Sequence, residues 1–249
     1  MTRLTTCADD EAVAERAARE IRRLLRDARE QRGIAHVALS GGTTPGRTYE
    51  LLAAEPPDWS DVQIYFADER CVGAQDEQSN YRLASETLLL PAGIPAERVH
   101  RMEGELGPGE GARRYAQVLR EHVPAGDDLP AGDQELPVLD LVVLGIGPDG
   151  HVASLFPGAA TLDAGERELC LGVEDSPKPP PQRITMSLAL LRAARRCVLL
   201  ATGASKTDAV SAMMGEPSRH VPASLLRRER LTVIIDDDAS ARPVRDSGG

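Results

Sequence analysis

"LDLVVLGIGPDGHVASLF", residues 139–156, is the stretch on which the fold turns. It opens on a nearly unbroken apolar run, the pattern of a strand buried on both faces. Positions 145–151 then hold three glycines, a proline, an aspartate and a histidine. Gly145, Gly147 and Gly150 spell G-x-G-x-x-G, the dinucleotide-binding fingerprint, which on its own is a weak signal. Asp149 would set a carboxylate beside a bound pyrophosphate, which argues against NAD.

Working outward, residues 9–32, "DDEAVAERAAREIRRLLRDAREQR", place Val13, Ala17, Ile21, Leu24 and Leu25 at helical spacing, with acids at the start and Gly33 as the stop. "IAHVALS" (34–40) predicts a strand, followed by the turn-rich "GGTTPG" and the amphipathic "RTYELLAA". Further strands are expected at 62–68, around 183–188, at 197–203 and at 231–236; helices at 81–90, 112–123 and 204–214. Residues 124–137 carry proline, glycine and acid without periodicity and are expected to be an exposed loop. Strands alternating with helices imply an α/β fold: a doubly wound, mostly parallel sheet with helices on both faces. No linker separates two cores, so a single domain over 1–238 is expected, with a frayed tail at 239–249.

Composition narrows the partners. Aromatics make up only 3% of the chain, so the core must be built from Leu, Val, Ile and Ala. A net charge of −10 with so few rings offers neither the basic footprint nor the stacking platforms of a nucleic-acid binder. An anionic small molecule would need a local positive site against this acidic background. The four cysteines are scattered without a C-x-x-C pair, as expected of reduced thiols in a cytosol. No signal-peptide order and no 18-residue apolar run occur, so no membrane partner is expected and a cytoplasmic location is.

Three strands end in chemically loaded loops. In "LSGGTTPG", small residues let backbone N–H groups wrap an anion, while Ser40, Thr43 and Thr44 add hydroxyls around Gly41 and Gly42. The same segment is equally a tight strand-to-helix turn. In "FADERCVGAQDEQSNYR", Asp68 and Arg70 follow directly on an apolar strand; Arg70 suits an oxyanion, although a solvated charge cluster would look alike. In the opening stretch, His151 stands at the mouth of the loop, where a following helix is expected to begin. Its imidazole can take a proton from water near pH 7, with Asp149 orienting it; the competing reading is a capping Asp beside a structural His. Arg183 after "PPPQ" and Lys206 in "ATGASK" are placed for a phosphate clamp, though either alone reads as a surface cation. His36, His100 and His122 read as structural, and His220 as a residue that could line the crevice. Neither a G-x-S-x-G elbow nor a zinc-ligand spacing is present.

In order along 39–226, the segments "LSGGTTPG", "FADERCVGAQDEQSNYR", "LGIGPDGHVASLFPG", "PQRITMSL", "GASK" and "VPASLL" resemble the 6-phosphogluconolactonase family. That resemblance implies the fold shared with glucosamine-6-phosphate deaminase (NagB/RpiA/CoA-transferase-like), no metal or cofactor, and a sugar-phosphate lactone as the small-molecule partner. It also implies hydrolysis by His151-activated water, with Asp149 and Arg70 assisting and Ser40–Thr44, Asp68, Arg183 and Lys206 holding the substrate. A monomer or weak dimer is expected. The deaminase is the nearest alternative, but its loop resembles "GxDGHIAFNEP", and here Leu155–Phe156 replace the glutamate before Pro157. A sugar-phosphate-sensing domain of a transcriptional regulator is a second alternative; only one helix and no basic patch precede the first strand.

Overall fold

The computed structural model describes residues 2–126 and 136–240. Nine strands form along them: β1 (Arg3–Cys7), β2 (Ala35–Leu39), β3 (Val62–Phe66), β4 (Asp68–Arg70), β5 (Leu141–Gly145), β6 (Cys170–Val173), β7 (Arg183–Met186), β8 (Arg196–Ala201) and β9 (Leu231–Asp236). Six make one sheet in the order β1-β9-β8-β5-β2-β3, and every pairing in it is parallel. Helices flank it: α1 (Asp10–Arg32), α2 (Thr43–Ala54), α3 (Asn80–Ala84), α4 (Gly107–His122), α5 (Leu188–Ala193) and α6 (Thr207–Met214). The doubly wound, mostly parallel architecture is therefore as expected.

Its cause is visible in the strands. Leu141–Leu144 of β5 are buried, as an apolar run sandwiched between helical layers must be. The α1 boundaries follow their capping chemistry: Asp9 accepts from the Ala12 N–H at 2.8 Å, and Gly33 closes the helix at φ 79°. Its buried face comprises the five predicted residues together with Ala14, Ala18, Glu20 and Ala28.

After β2 the chain winds outward to β3, then returns to the other side of β2 to lay down β5. The topological switch point thus lies between β2 and β5, where a crevice opens beyond the strands' carboxyl ends. The loops 40–42 and 146–151 flank it.

Several elements differ from the expectations. β1 is an exposed edge strand, with Leu4 46% accessible, and its "RLTTC" carries no alternation to announce it. It exists because β9 offers a free edge. A second, antiparallel sheet in the order β4-β7-β6 stands apart from the expected parallel one. The strand expected near 183–188 belongs to it rather than to the main sheet. α4 starts at Gly107, ahead of the expected 112, because Pro108 is compatible with a first helical turn. The helix expected at 81–90 is α3 continued by a π-helical turn over Ser85–Leu89.

No helix follows His151. Residues 152–155 form a tight bridge instead, with Ala153 at φ 49°. The Ser154 N–H donates across to Thr185 Oγ1 at 3.2 Å, so the backbone there is committed to β7 rather than to a helical turn. The middle of the expected loop at 124–137 lies outside the described residues, and its ends meet at a bridge between Ala125 and Pro137. At the other terminus Ala239 is buried and its N–H donates to Asp236 Oδ1; residues 241–249 of the expected tail lie outside the described residues. No helix among the described residues is long and apolar enough to cross a membrane.

Candidate active site

A cleft of about 410 Å³ opens at the switch point. Its walls include Ser40–Thr44, Asp68, Arg70, His151, Arg183 and Lys206, so ten of the eleven residues singled out in the sequence converge there. The eleventh, Asp149, touches it through His151.

The first wall is the turn between β2 and α2. The buried Tyr49 hydroxyl donates to the Ser40 carbonyl and accepts from the Ser40 N–H. That amide is therefore spent on the fold and is not one of the anion-facing donors, while Ser40 Oγ is left buried without a partner. Gly41 is required by a close approach: a Cβ there would lie 1.9 Å from Asn80 Oδ1. Thr44 Oγ1 meets Thr202 Oγ1 at 2.8 Å, tying this turn to the end of β8.

The second wall is the loop after β5. His151 Nδ1 lies 2.5 Å from Asp149 Oδ1. The pair fits only because residue 147 is glycine, since a Cβ there would stand 2.0 Å from His151 Nδ1. Gly150, at φ 82°, makes the turn itself. Gly145 needs neither freedom and simply ends β5. The Phe156 ring packs 4.6 Å from the imidazole, and Arg183 lies over the same ring at 5.7 Å.

The third wall is the small sheet. Strand alternation sends Asp68 and Arg70 to one face, and the register sets them opposite Thr185 and Arg183. Asp68 accepts from Asn80 Nδ2 at 3.1 Å and from the Ser154 hydroxyl at 2.7 Å. Glu69 points the other way and is buried, accepting from the N–H groups of Arg70, Asn80 and Tyr81 and from the Ser79 hydroxyl. Arg70 donates Nη1 to the Gln78 carbonyl at 2.6 Å, while its Nε is buried and unpartnered.

Arg183 stands differently from the expectation of a free clamp. It is 4% exposed, and Nε and Nη2 donate to the carbonyls of Pro180, Lys178 and Pro179. Most of its donors thus hold the proline strap in place. The strap presents Lys178, a cleft residue that the sequence does not single out although it directly precedes the "PPPQ" run. Lys178 Nζ is 3.9 Å from Asp149 Oδ1. His220 is exposed and outside the cleft wall; its neighbour Val221 packs behind Gly150.

Burial pushes the His151 pKa down, outweighing the upward pull of the Asp149 charge and hydrogen bond. The imidazole is therefore neutral at pH 7, and with Asp149 ionised its proton is carried on Nδ1 and donated to the carboxylate, which leaves the Nε2 lone pair as the acceptor. Burial raises Asp149, but the His151 charge and hydrogen bond together with Lys178 hold it below the usual carboxylate range. Lys206 is lowered by burial and by the Lys178 charge. Two ammonium groups near enough to repel one another define a place where an anion is favourable. No group of three or more metal-ligating side chains occurs among the described residues.

The family model described as glucosamine-6-phosphate isomerases/6-phosphogluconolactonase matches residues 8–235. The chain belongs to this family. Among its family relatives, the 6-phosphogluconolactonase of Streptomyces coelicolor is 37% identical over 243 residues, covering 94% of this chain and 91% of the relative. That of Mycobacterium tuberculosis is 35% identical, covering 85% and 86%. A crystal structure of a 6-phosphogluconolactonase from Shewanella baltica superposes with a TM-score of 0.79 at 29% identity, over 95% of this chain and 98% of that one.

Proposed function

We propose that the cleft hydrolyses 6-phospho-D-glucono-1,5-lactone to 6-phospho-D-gluconate, the lactonase step of the oxidative pentose phosphate pathway, as a carboxylic ester hydrolase. The observation that carries this reading is one cavity lined by both a neutral, Asp-bonded imidazole and two lysines.

His151 Nε2 takes a proton from water as its oxygen bonds to C1 of the lactone. The tetrahedral oxyanion collapses with cleavage of the bond from C1 to the ring oxygen, which receives the proton back from His151. No covalent enzyme intermediate forms. Asp149 keeps the Nδ1–H tautomer and steadies the transient imidazolium. Arg70, with a buried unpartnered Nε, faces the oxyanion or the carboxylate product. Lys206 and Lys178 bind the phosphate, with Gly41–Thr44 at the head of α2 adding backbone and hydroxyl donors. Ser40 Oγ and Asp68 meet the sugar hydroxyls. Arg183 acts chiefly by holding the strap that carries Lys178. Anchoring the phosphate away from C1 turns binding energy into orientation.

The deaminase alternative is disfavoured by the same loop. The deaminase relay uses a second acid, the glutamate before the proline, and here Leu155 and Phe156 at that end of the loop are buried and apolar. The test is a coupled assay on freshly generated lactone, corrected for spontaneous hydrolysis, beside glucosamine 6-phosphate. Accelerated lactone hydrolysis with no ammonia release is expected; ammonia without lactonase activity would overturn the reading.

A further inference from the structure

The cleft occupies the carboxyl ends of the central strands. At their amino ends, roughly 15–20 Å away for strands of this length, lies a second cavity of about 320 Å³. Five arginines face it: Arg23 and Arg32 from α1, Arg195 and Arg196 at the start of β8, and Arg230 just before β9. Among the described residues only two acids, Asp27 and Asp140, share the wall. In a chain of formal net charge −10, this concentration of guanidinium groups needs a physical reason.

Ion pairing supplies part of it. Glu20 and Asp27 engage Arg23. The buried Asp140 accepts from Arg32 Nε at 2.7 Å and from the His36 N–H at 2.8 Å, and lies 3.6 Å from Arg195 Nε. One carboxylate thus serves two guanidinium groups. Arg230 has no acid partner among the described residues; its Nη1 donates to the Ala193 and Ala194 carbonyls, which fixes the head of the side chain at the rim. The Arg196 guanidinium has no side-chain partner among the described residues, and its backbone N–H is pinned to the Asp140 carbonyl. Among the described residues, positive charge therefore exceeds negative in this concave, partly preorganised pocket.

We propose that this cavity is a second anion site, separate from the catalytic cleft, that takes a small phosphorylated anion of two or more negative charges. Guanidinium forks match phosphate oxygens in pairs. A diphosphate can bridge Arg196 and Arg230 at once, whereas a monocarboxylate would satisfy one of them. The volume falls at the small end of ligand pockets.

The test is calorimetric titration of the full chain with inorganic pyrophosphate and with adenosine diphosphate, all at matched ionic strength. Either ligand binding at the arginine pocket supports the proposal, and the tighter one tells whether a nucleoside adds contacts. The Lys206→Ala chain should retain this binding. Arg196→Glu should weaken it about tenfold or more, as loss of a charge-assisted contact does, with lactone turnover and unliganded melting temperature unchanged. Arg230→Gln is the second variant and should weaken it in the same direction. Affinities within about twofold of the parent chain for both variants, or loss of all binding in Lys206→Ala, would overturn the proposal.

Discussion

His151 and Asp149 stand two residues apart, and their contact depends on a third residue that does no chemistry. Gly147 leaves the space in which Nδ1 and the carboxylate meet. In the proposed mechanism His151→Ala lowers kcat about 10²- to 10⁴-fold, as loss of a general base does, while KM stays near its starting value. Single-turnover and steady-state kinetics check this, and a kcat near that of the parent would remove His151 from its role. Asp149→Asn has a signed outcome. Burial lowers the imidazole pKa and Asp149 pulls it up, so removing the charge leaves only the weaker pull of Asp68 against burial and lowers the pKa further. The acid limb of the kcat/KM profile then moves to lower pH while the plateau falls. A limb that moves to higher pH would contradict the assigned electrostatics. The Gly-Asp-His concentration after a buried strand was legible from residues alone; the service of Gly147 was not, because it is a contact across a turn.

At the scale of elements, the strands announced by apolar runs form where expected, and the ones without such a pattern do not show in the sequence. β4 is a charged triplet, Asp68–Arg70, with no strand preference of its own. It exists because β7 pairs with it and because Glu69 beneath it gathers four donors. Glu69→Ala leaves those buried groups without an acceptor and should cost about 3 kcal/mol of stability, read by urea denaturation. The turn that presents Asn80 to Gly41 loosens with it, so the midpoint should fall together with substrate affinity. An unchanged midpoint would show that water replaces the carboxylate without penalty. The helix expected after His151 failed for a related reason: Ser154 is bonded to Thr185, a partner 31 residues away that no local pattern reports.

Across the whole molecule, the cleft draws on segments from residue 40 to residue 206. Lys206→Ala tests whether its far end grips phosphate. Discrimination for the phosphorylated lactone over gluconolactone should drop about 10- to 100-fold, the worth of one charge-assisted contact, and equal losses on both substrates would place Lys206 elsewhere. By itself the sequence determined the α/β class, the capped first helix, the loops that line the cleft and the family, because periodicity, turn residues and motifs are local and need no knowledge of distant contacts. Only the tertiary structure decided that Arg183 spends its donors on a strap, that the strap delivers Lys178, and that arginines gather at the opposite end of the sheet. Those outcomes depend on register and on which strand finds which edge, and such choices are made by contacts between residues far apart in the chain.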